Sequence, residues 1–255
     1  LVKFIGNVEE RIQEDYLRIL RYFRFFLQYS DKPHDQQVIK SIKKHINGIN
    51  HLSKERIFDE LKKILILNNL YSLFSQSDSK EVILSIFPQF KYHERLKIFN
   101  QLNKNIKIKY DNCLVLALLI VDKSNNYEYF CHKYKTSNSI KNRLSIISQN
   151  FENIKNKNFF TKQNIKKQIY ILGKDIVLDL LLFSLSINKF KNFDAMQLVK
   201  YIQKSEIPKF PISGNYLKEQ GYEDGEMLGL KLRKLEEKWI NNNFIIDKED
   251  IKISK

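Results

Sequence analysis

Cysteine is nearly missing from this chain, with two residues in 255, Cys113 and Cys131. They stand outside any CxxC pair and have no histidine pair nearby. That excludes a disulfide framework and a cysteine-based zinc site, and it reads as two reduced, buried thiols of a cytoplasmic protein. Glycine (7) and proline (4) are also scarce and gather toward the end of the chain, so long stretches are free of helix breakers. No long apolar run is present. The longest, Ile176 to Ile187, is interrupted by Asp179 and reads as a core helix, too short to span a bilayer. With no signal-peptide pattern, a membrane partner is not expected.

Negative charge is the other shortfall. Against 44 Lys and Arg stand 29 Asp and Glu, a formal net charge of +15. Such a field favours a polyanion, through long-range attraction and counterion release, and RNA or DNA is the leading inference. Part of the excess is lysine that travels with abundant Ile and Asn, as an AT-rich coding bias produces, so the partner has to be argued from motifs. At 43% apolar and 13% aromatic the chain has ample surface to bury.

The apolar spacing predicts helices throughout. Ile12, Tyr16, Ile19, Leu20, Phe23 and Phe26 recur at three- and four-residue steps, which predicts one amphipathic helix from Glu10 to Phe26. Pro33 breaks the pattern. Further helices are expected over Gln36–Ile46, Ser53–Leu67 (with Ser53 as cap), Lys80–Phe87, Tyr92–Asn103, Asn112–Val121, Ser137–Phe151, Lys162–Ser186 with a break near Gly173, Asp194–Ser205 and Glu226–Asn241. The Asn- and Lys-rich stretch from Asn150 to Asn164 reads as a loop. No fixed-period repeat emerges.

The sharpest motif is Glu14, Asp15 and Arg18 within Arg11-Ile-Gln-Glu-Asp-Tyr-Leu-Arg-Ile-Leu-Arg-Tyr-Phe-Arg. On a continuous helix all three side chains share one face, an acceptor beside a forked donor. Taken alone, EDxxR is a surface ion-pair cluster. In the longer frame Gly6-Asn7-x3-Arg11-Ile-x-Glu14-Asp15-x-Leu17-Arg18-x-Leu20-Arg21-x2-Arg24-Phe25 it resembles the opening of the neck domain of the class II tRNA nucleotidyltransferases, the family of CCA-adding enzymes and bacterial poly(A) polymerases. Two later segments are similar to the same family in the same order. One is Leu52-Ser53-x-Glu55-Arg56-Ile57-x2-Glu60-Leu61-x-Lys63-Ile64-Leu65, an RNA-binding helix. The other is Pro211-Ile212-Ser213-Gly214-Asn215-x-Leu217 with Gly221, Gly225, Gly229 and Trp239, a glycine-bearing tail. Asn215 stands where Asp is commoner.

The resemblance implies an all-α, elongated array of neck, body and tail helices with at most a remnant strand at the N-terminus. Its parts would be residues 1–8 (end of a catalytic head), 9–68 (neck), 69–190 (body) and 191–255 (tail). It implies that Asp15 and Arg18 pair with the Watson–Crick edge of incoming CTP or ATP, with Glu14 holding the arginine. Losing one such contact costs about 1–3 kcal/mol of discrimination. Arg21 and Arg24 would extend that nucleotide site, and Arg56, Lys63, Gly214 and Asn215 would contact RNA.

In one respect the sequence departs from the family. Nucleotidyl transfer there needs a Gly-Ser pair followed by a DxD carboxylate pair for two Mg ions. This chain has neither; Asp175 and Asp179 share an apolar helix, and Asp247 and Asp250 lie in the tail. The resemblance therefore implies a fragment, inactive alone, that acts with a head domain or a separate head chain on the 3′ end of tRNA or another RNA. The alternatives are a poly(A) polymerase fragment, since both activities share the template motif, and a non-enzymatic helical RNA-binding protein. His34-Asp35 matches the dipeptide of metal-dependent phosphohydrolases without that family's other ligands. No P-loop, dinucleotide fingerprint or catalytic Ser or Cys context appears.

Overall fold

A computed structural model of the chain describes residues 2–188, 194–247 and 251; Leu1, Asp250 and the expected 190/191 boundary lie outside the described residues. Helices joined by short links account for its regular structure, and no strand occurs among the described residues. Two compact units form, one from residues 1–155 with 179–193, the other from 156–178 with 194–255.

The first unit begins with α1 (Val8–Glu14) and α2 (Arg18–Tyr29). Asn7 starts α1 by accepting the backbone N–H of Glu9 at 2.9 Å. The continuous helix expected over residues 10–26 is instead two helices, because Asp15 stops the first. Its backbone is extended (φ −155°, ψ 103°), and its carboxylate takes the N–H of Leu17 at 3.1 Å. An Asp side chain that captures a backbone donor in this way competes with the helix ladder, which is why the apolar period runs on while the helix does not. The break brings Tyr16 against the buried Gly48 in a 3-10 turn (Ile46–His51): a Cβ built on Gly48 would lie 2.0 Å from Tyr16 Cε1.

The helices α3 (Gln36–His45), α4 (Lys54–Leu65), α5 (Ser72–Ser75), α6 (Ser77–Ile86) and α7 (Glu94–Ile106) follow, with α1 packed on α3 and α2 on α4. Ser53 caps α4 as expected, accepting from Arg56 N at 3.3 Å. Next come α8 (Asn112–Ile120), α9 (Asn126–Tyr134) and α10 (Asn138–Gln149). Every residue of α8 from Cys113 to Ile120 is buried, so this helix has no polar face and sits at the centre of its neighbours. Its last carbonyls do not fray: Arg95 Nη1 donates to Val121 O at 2.6 Å and to Leu118 O at 3.3 Å, while its guanidinium lies 3.9 Å from the Tyr92 ring centre. No helix was expected over α9, whose aromatic face (Tyr127, Phe130, Tyr134) is buried by tertiary packing that periodicity did not signal. With so little glycine available, lysines take the left-handed caps that end α7 (Lys107, φ 54°) and α9 (Lys135, φ 49°).

The second unit holds α11 (Lys162–Leu172), α13 (Ala195–Lys204), α14 (Gly214–Glu219) and α15 (Glu226–Asn241). Between α11 and α12 (Lys174–Ile187) the expected break falls at Gly173, where φ is +82°. The expected loop over 150–164 is two short 3-10 turns, Asn153–Lys155 and Lys157–Phe160. Ile212, Leu217, Leu228, Leu235 and Ile251 make a buried cluster, and Trp239 joins Tyr170, Phe210 and Phe244 in an aromatic one. No helix among the described residues is long and apolar enough to cross a membrane.

The Tyr16–Gly48 contact makes a direct prediction. Gly48→Ala overpacks the turn and lowers unfolding free energy by about 1–3 kcal/mol. Combining it with Tyr16→Ala costs less than the sum of the two single changes in urea titrations; strict additivity would contradict the contact.

Candidate functional site

The break between α1 and α2 distributes the motif side chains to two different sets of partners. Glu14 accepts from Arg18 Nη1 at 2.8 Å and from Arg11 Nη1 at 2.7 Å, and Arg18 also donates to Arg11 O at 3.0 Å. The paired guanidinium of Arg11 holds the Glu14 carboxyl below its usual range. Asp15 meets different cations: Arg56 Nη2, from the first turn of α4, lies 3.2 Å from both of its oxygens, and Arg21 Nη1 lies 3.8 Å away. Glu14 and Arg18 are thus brought together, whereas Asp15 is paired with Arg21 and Arg56.

Arg24 faces α4. Its Nε donates to Glu60 Oε1 at 2.5 Å, and Lys63 Nζ donates to Glu60 Oε2 at 3.2 Å. Glu60, quoted in the α4 motif without a role, is the buried centre of this contact: only 2% of its side chain is exposed, and it sits between Arg24 and Lys63 as their common acceptor. The signal was present, because a carboxylate at position 60 falls on the buried face marked by Ile57, Leu61 and Ile64.

Beside this network a cleft of about 290 Å³ opens between residues 2–5 and the first two helices. Lys3, Arg11, Arg18 and Arg21 supply its charge, and Phe4, Tyr22 and Phe25 its apolar wall. Phe4 stacks on Tyr22 (5.8 Å, 14°) and so fixes the segment before α1 as one side of the cleft, a wall that the motif gave no hint of. The arrangement offers several guanidinium groups to an anion and flat rings to a planar group.

The tail candidates are placed separately, in the second unit. Gly214 and Asn215 open α14, capped by Ser213, whose Oγ accepts from Tyr216 N at 3.2 Å; Asn215 is exposed. Lys63 and Arg56 keep 60% and 51% of their side chains exposed.

Asp179, which the sequence sets apart from a DxD pair, has a cation as its partner. Asp179 is buried and held by Arg143, whose Nη2 donates at 2.8 Å, and no group of three or more His, Cys, Asp or Glu that could hold a metal ion occurs among the described residues. His34 is a core residue, stacked on Phe26 (3.6 Å) and paired with the Tyr22 hydroxyl at 3.0 Å, while Asp35 caps α3. Burial pushes the His34 imidazole down to about 4.

Residues 35–93 match a family described as the probable RNA and SrmB-binding site of polymerase A. The mouse protein CCA tRNA nucleotidyltransferase 1, mitochondrial, is 28% identical across 98% of this chain and 57% of its own length. The chain thus spans little more than half of that relative. Among solved structures, a Thermotoga maritima CCA-adding enzyme complexed with tRNA is similar over 95% of this chain and 61% of its own, with a TM-score of 0.60 and 17% identity. A Bacillus stearothermophilus CCA-adding enzyme in complex with CTP is similar over 97% and 62%, with a TM-score of 0.61 and 16% identity. These matches support the resemblance of the chain to the class II CCA-adding enzymes and poly(A) polymerases.

Two outcomes follow from this geometry. Glu60→Leu loses about 3–5 kcal/mol of stability by leaving Arg24 without its buried partner, and adding Arg24→Met recovers most of it in chemical denaturation. Because the His34 pKa is depressed in the folded state, its stabilising contribution is complete above pH 6.5 and is lost as pH falls toward 4. The stability difference between pH 7.5 and pH 4.5 is therefore smaller by about 2 kcal/mol in His34→Phe; an identical pH dependence in the two proteins would refute the assignment.

Proposed function

We propose that this chain is the nucleotide-reading and RNA-binding part of a CCA-adding tRNA nucleotidyltransferase. The observation that carries the reading is the Glu14–Arg18 pair at a cleft walled by Phe4, Tyr22 and Phe25, in a chain aligned over 98% of its length with a CCA tRNA nucleotidyltransferase.

In this reading the Arg18 guanidinium donates to the base edge of CTP or ATP, and Glu14 fixes its plane so that little freedom is lost when the base arrives. Asp15 supplies the acceptor. Since its carboxylate is engaged by Arg56, base recognition by Asp15 involves the loosening of that bridge, which couples the nucleotide site to α4. Arg21, with Arg11 and Lys3, faces the triphosphate, and Arg24 steadies α2 against α4 through Glu60. Arg56 and Lys63 on α4, and Gly214 and Asn215 at the start of α14, meet phosphates of the RNA.

In this reading a DxD-bearing head would hold the two Mg ions that the transfer needs, and the sequence of these 255 residues contains no Gly-Ser and DxD pattern. The chain by itself then binds tRNA and nucleotide without transferring one. A poly(A) polymerase fragment is the second reading, favoured by the match of residues 35–93 to the RNA and SrmB-binding family of polymerase A.

In the enzyme that joins this chain to its head, Arg18→Ala lowers the discrimination between correct and incorrect nucleotide roughly 5- to 150-fold, the equivalent of about 1–3 kcal/mol. Incorporation of labelled CTP and ATP onto the 3′ end of a tRNA lacking its CCA measures it. Unchanged base choice overturns the nucleotide-reading role, and metal-dependent addition by the 255 residues alone overturns the need for a separate head.

A further inference from the structure

A second cleft, of about 360 Å³, lies wholly within the second unit and includes neither Gly214 nor Asn215. It is lined by Lys162, Gln163, Lys166, Tyr201, Asn243 and Phe244, with no carboxylate among them. Lys162 and Lys166 are four residues apart on α11 and therefore share one helical face, and both are exposed. Tyr201 comes from α13 and anchors to α11, its hydroxyl donating to Lys162 O at 3.4 Å, with the Lys162 ammonium 5.7 Å from its ring centre. Asn243 and Phe244 complete the lining.

The backbone at these two residues is unusual. Asn243 (φ 56°) and Phe244 (φ 66°) are consecutive left-handed residues, a conformation that Asn tolerates and Phe rarely adopts. The surroundings enforce it: Phe244 N donates to Trp239 O at 2.8 Å, Gln163 donates to the Asn243 side-chain oxygen, and Lys167 Nζ donates to Asn241 O at 3.2 Å. The Phe244 ring packs edge-on to Trp239 (4.8 Å) and stays half-buried. A glycine would have ended α15 without strain. The phenylalanine instead holds an aromatic side chain in the lining of the cleft that Tyr201, Lys162 and Lys166 also line.

Two half-buried rings flanking a cationic, carboxylate-free cleft suit a nucleobase joined to a backbone phosphate, since stacking tolerates any base and lysines take phosphate as point charges. We infer that this cleft captures one unpaired nucleotide of an RNA strand, its base against Tyr201 and Phe244 and its phosphates at Lys162 and Lys166. The inference deepens the proposed function and rests on its RNA-binding reading.

Fluorescence of 2-aminopurine placed in an unpaired RNA oligonucleotide tests it with the full chain. Stacking quenches the fluorophore on binding. Tyr201→Leu is expected to weaken binding roughly tenfold and remove the quench, whereas Tyr201→Phe, which keeps the ring, preserves both. Lys162→Gln with Lys166→Gln is expected to reduce the slope of log affinity against log salt by about 1.4, from two lost phosphate contacts on a single strand. If the unaltered chain binds no RNA at any salt concentration, the RNA-binding reading itself fails. If it binds RNA and the Tyr201→Leu and lysine variants match it in quench and salt slope, the cleft assignment alone falls. Equal affinity for free 2-aminopurine nucleotide and for the oligonucleotide would overturn capture of an RNA strand.

Discussion

The carboxylate of Asp15, by accepting the N–H of Leu17, stops α1 where the hydrophobic pattern would have carried it on. The arrangement around the first cleft depends on that one capture. It lays Tyr16 against Gly48, points Asp15 to Arg56 of α4, and leaves Glu14 at the end of one helix to hold Arg18 at the start of the next. A straight helix would have stacked the three motif side chains in a row. The broken one spreads them over two ion-pair systems, and the cation-lined cleft takes Arg11 and Arg18 from the first and Arg21 from the second.

Much of this was legible in the sequence. Composition and spacing predicted an all-helical chain, the Ser53 cap and the stop at Gly173, because those features are set by local preferences. The break at Asp15 was not legible, since an Asx turn between two helices leaves the apolar period intact. Nor was α9, whose register comes from the aromatic residues it meets (Phe58, Phe87 and Phe90), all distant in sequence. The motifs named Glu14, Asp15, Arg18, Arg21 and Arg56 but not which of them pair. Glu60, Lys3 and Phe4 matter through contacts that cross elements, and only Glu60 left a trace, as a carboxylate in an apolar register.

The two units handle charge differently. In the first, cations near the motif are engaged by acids: Arg11 and Arg18 by Glu14, Arg56 and Arg21 by Asp15, Arg24 and Lys63 by Glu60. In the second, the cleft at Tyr201 has lysines and no acid in its lining. The first arrangement suits recognition by shape and direction, the second attraction of a strand by its charge.

The shared use of Glu14 by two guanidinium groups has a further consequence. An anion entering the cleft does not meet bare, fully hydrated arginines; it meets groups already stripped of part of their water and locked in orientation by a carboxylate. Its arrival adds a second acceptor beside Glu14, whose charge already offsets part of the field of Arg11 and Arg18, so at those two groups the gain from charge alone is reduced. At Arg18 such a cleft senses best the direction of hydrogen bonds, while Lys3 and Arg21 elsewhere in its lining are not held by Glu14.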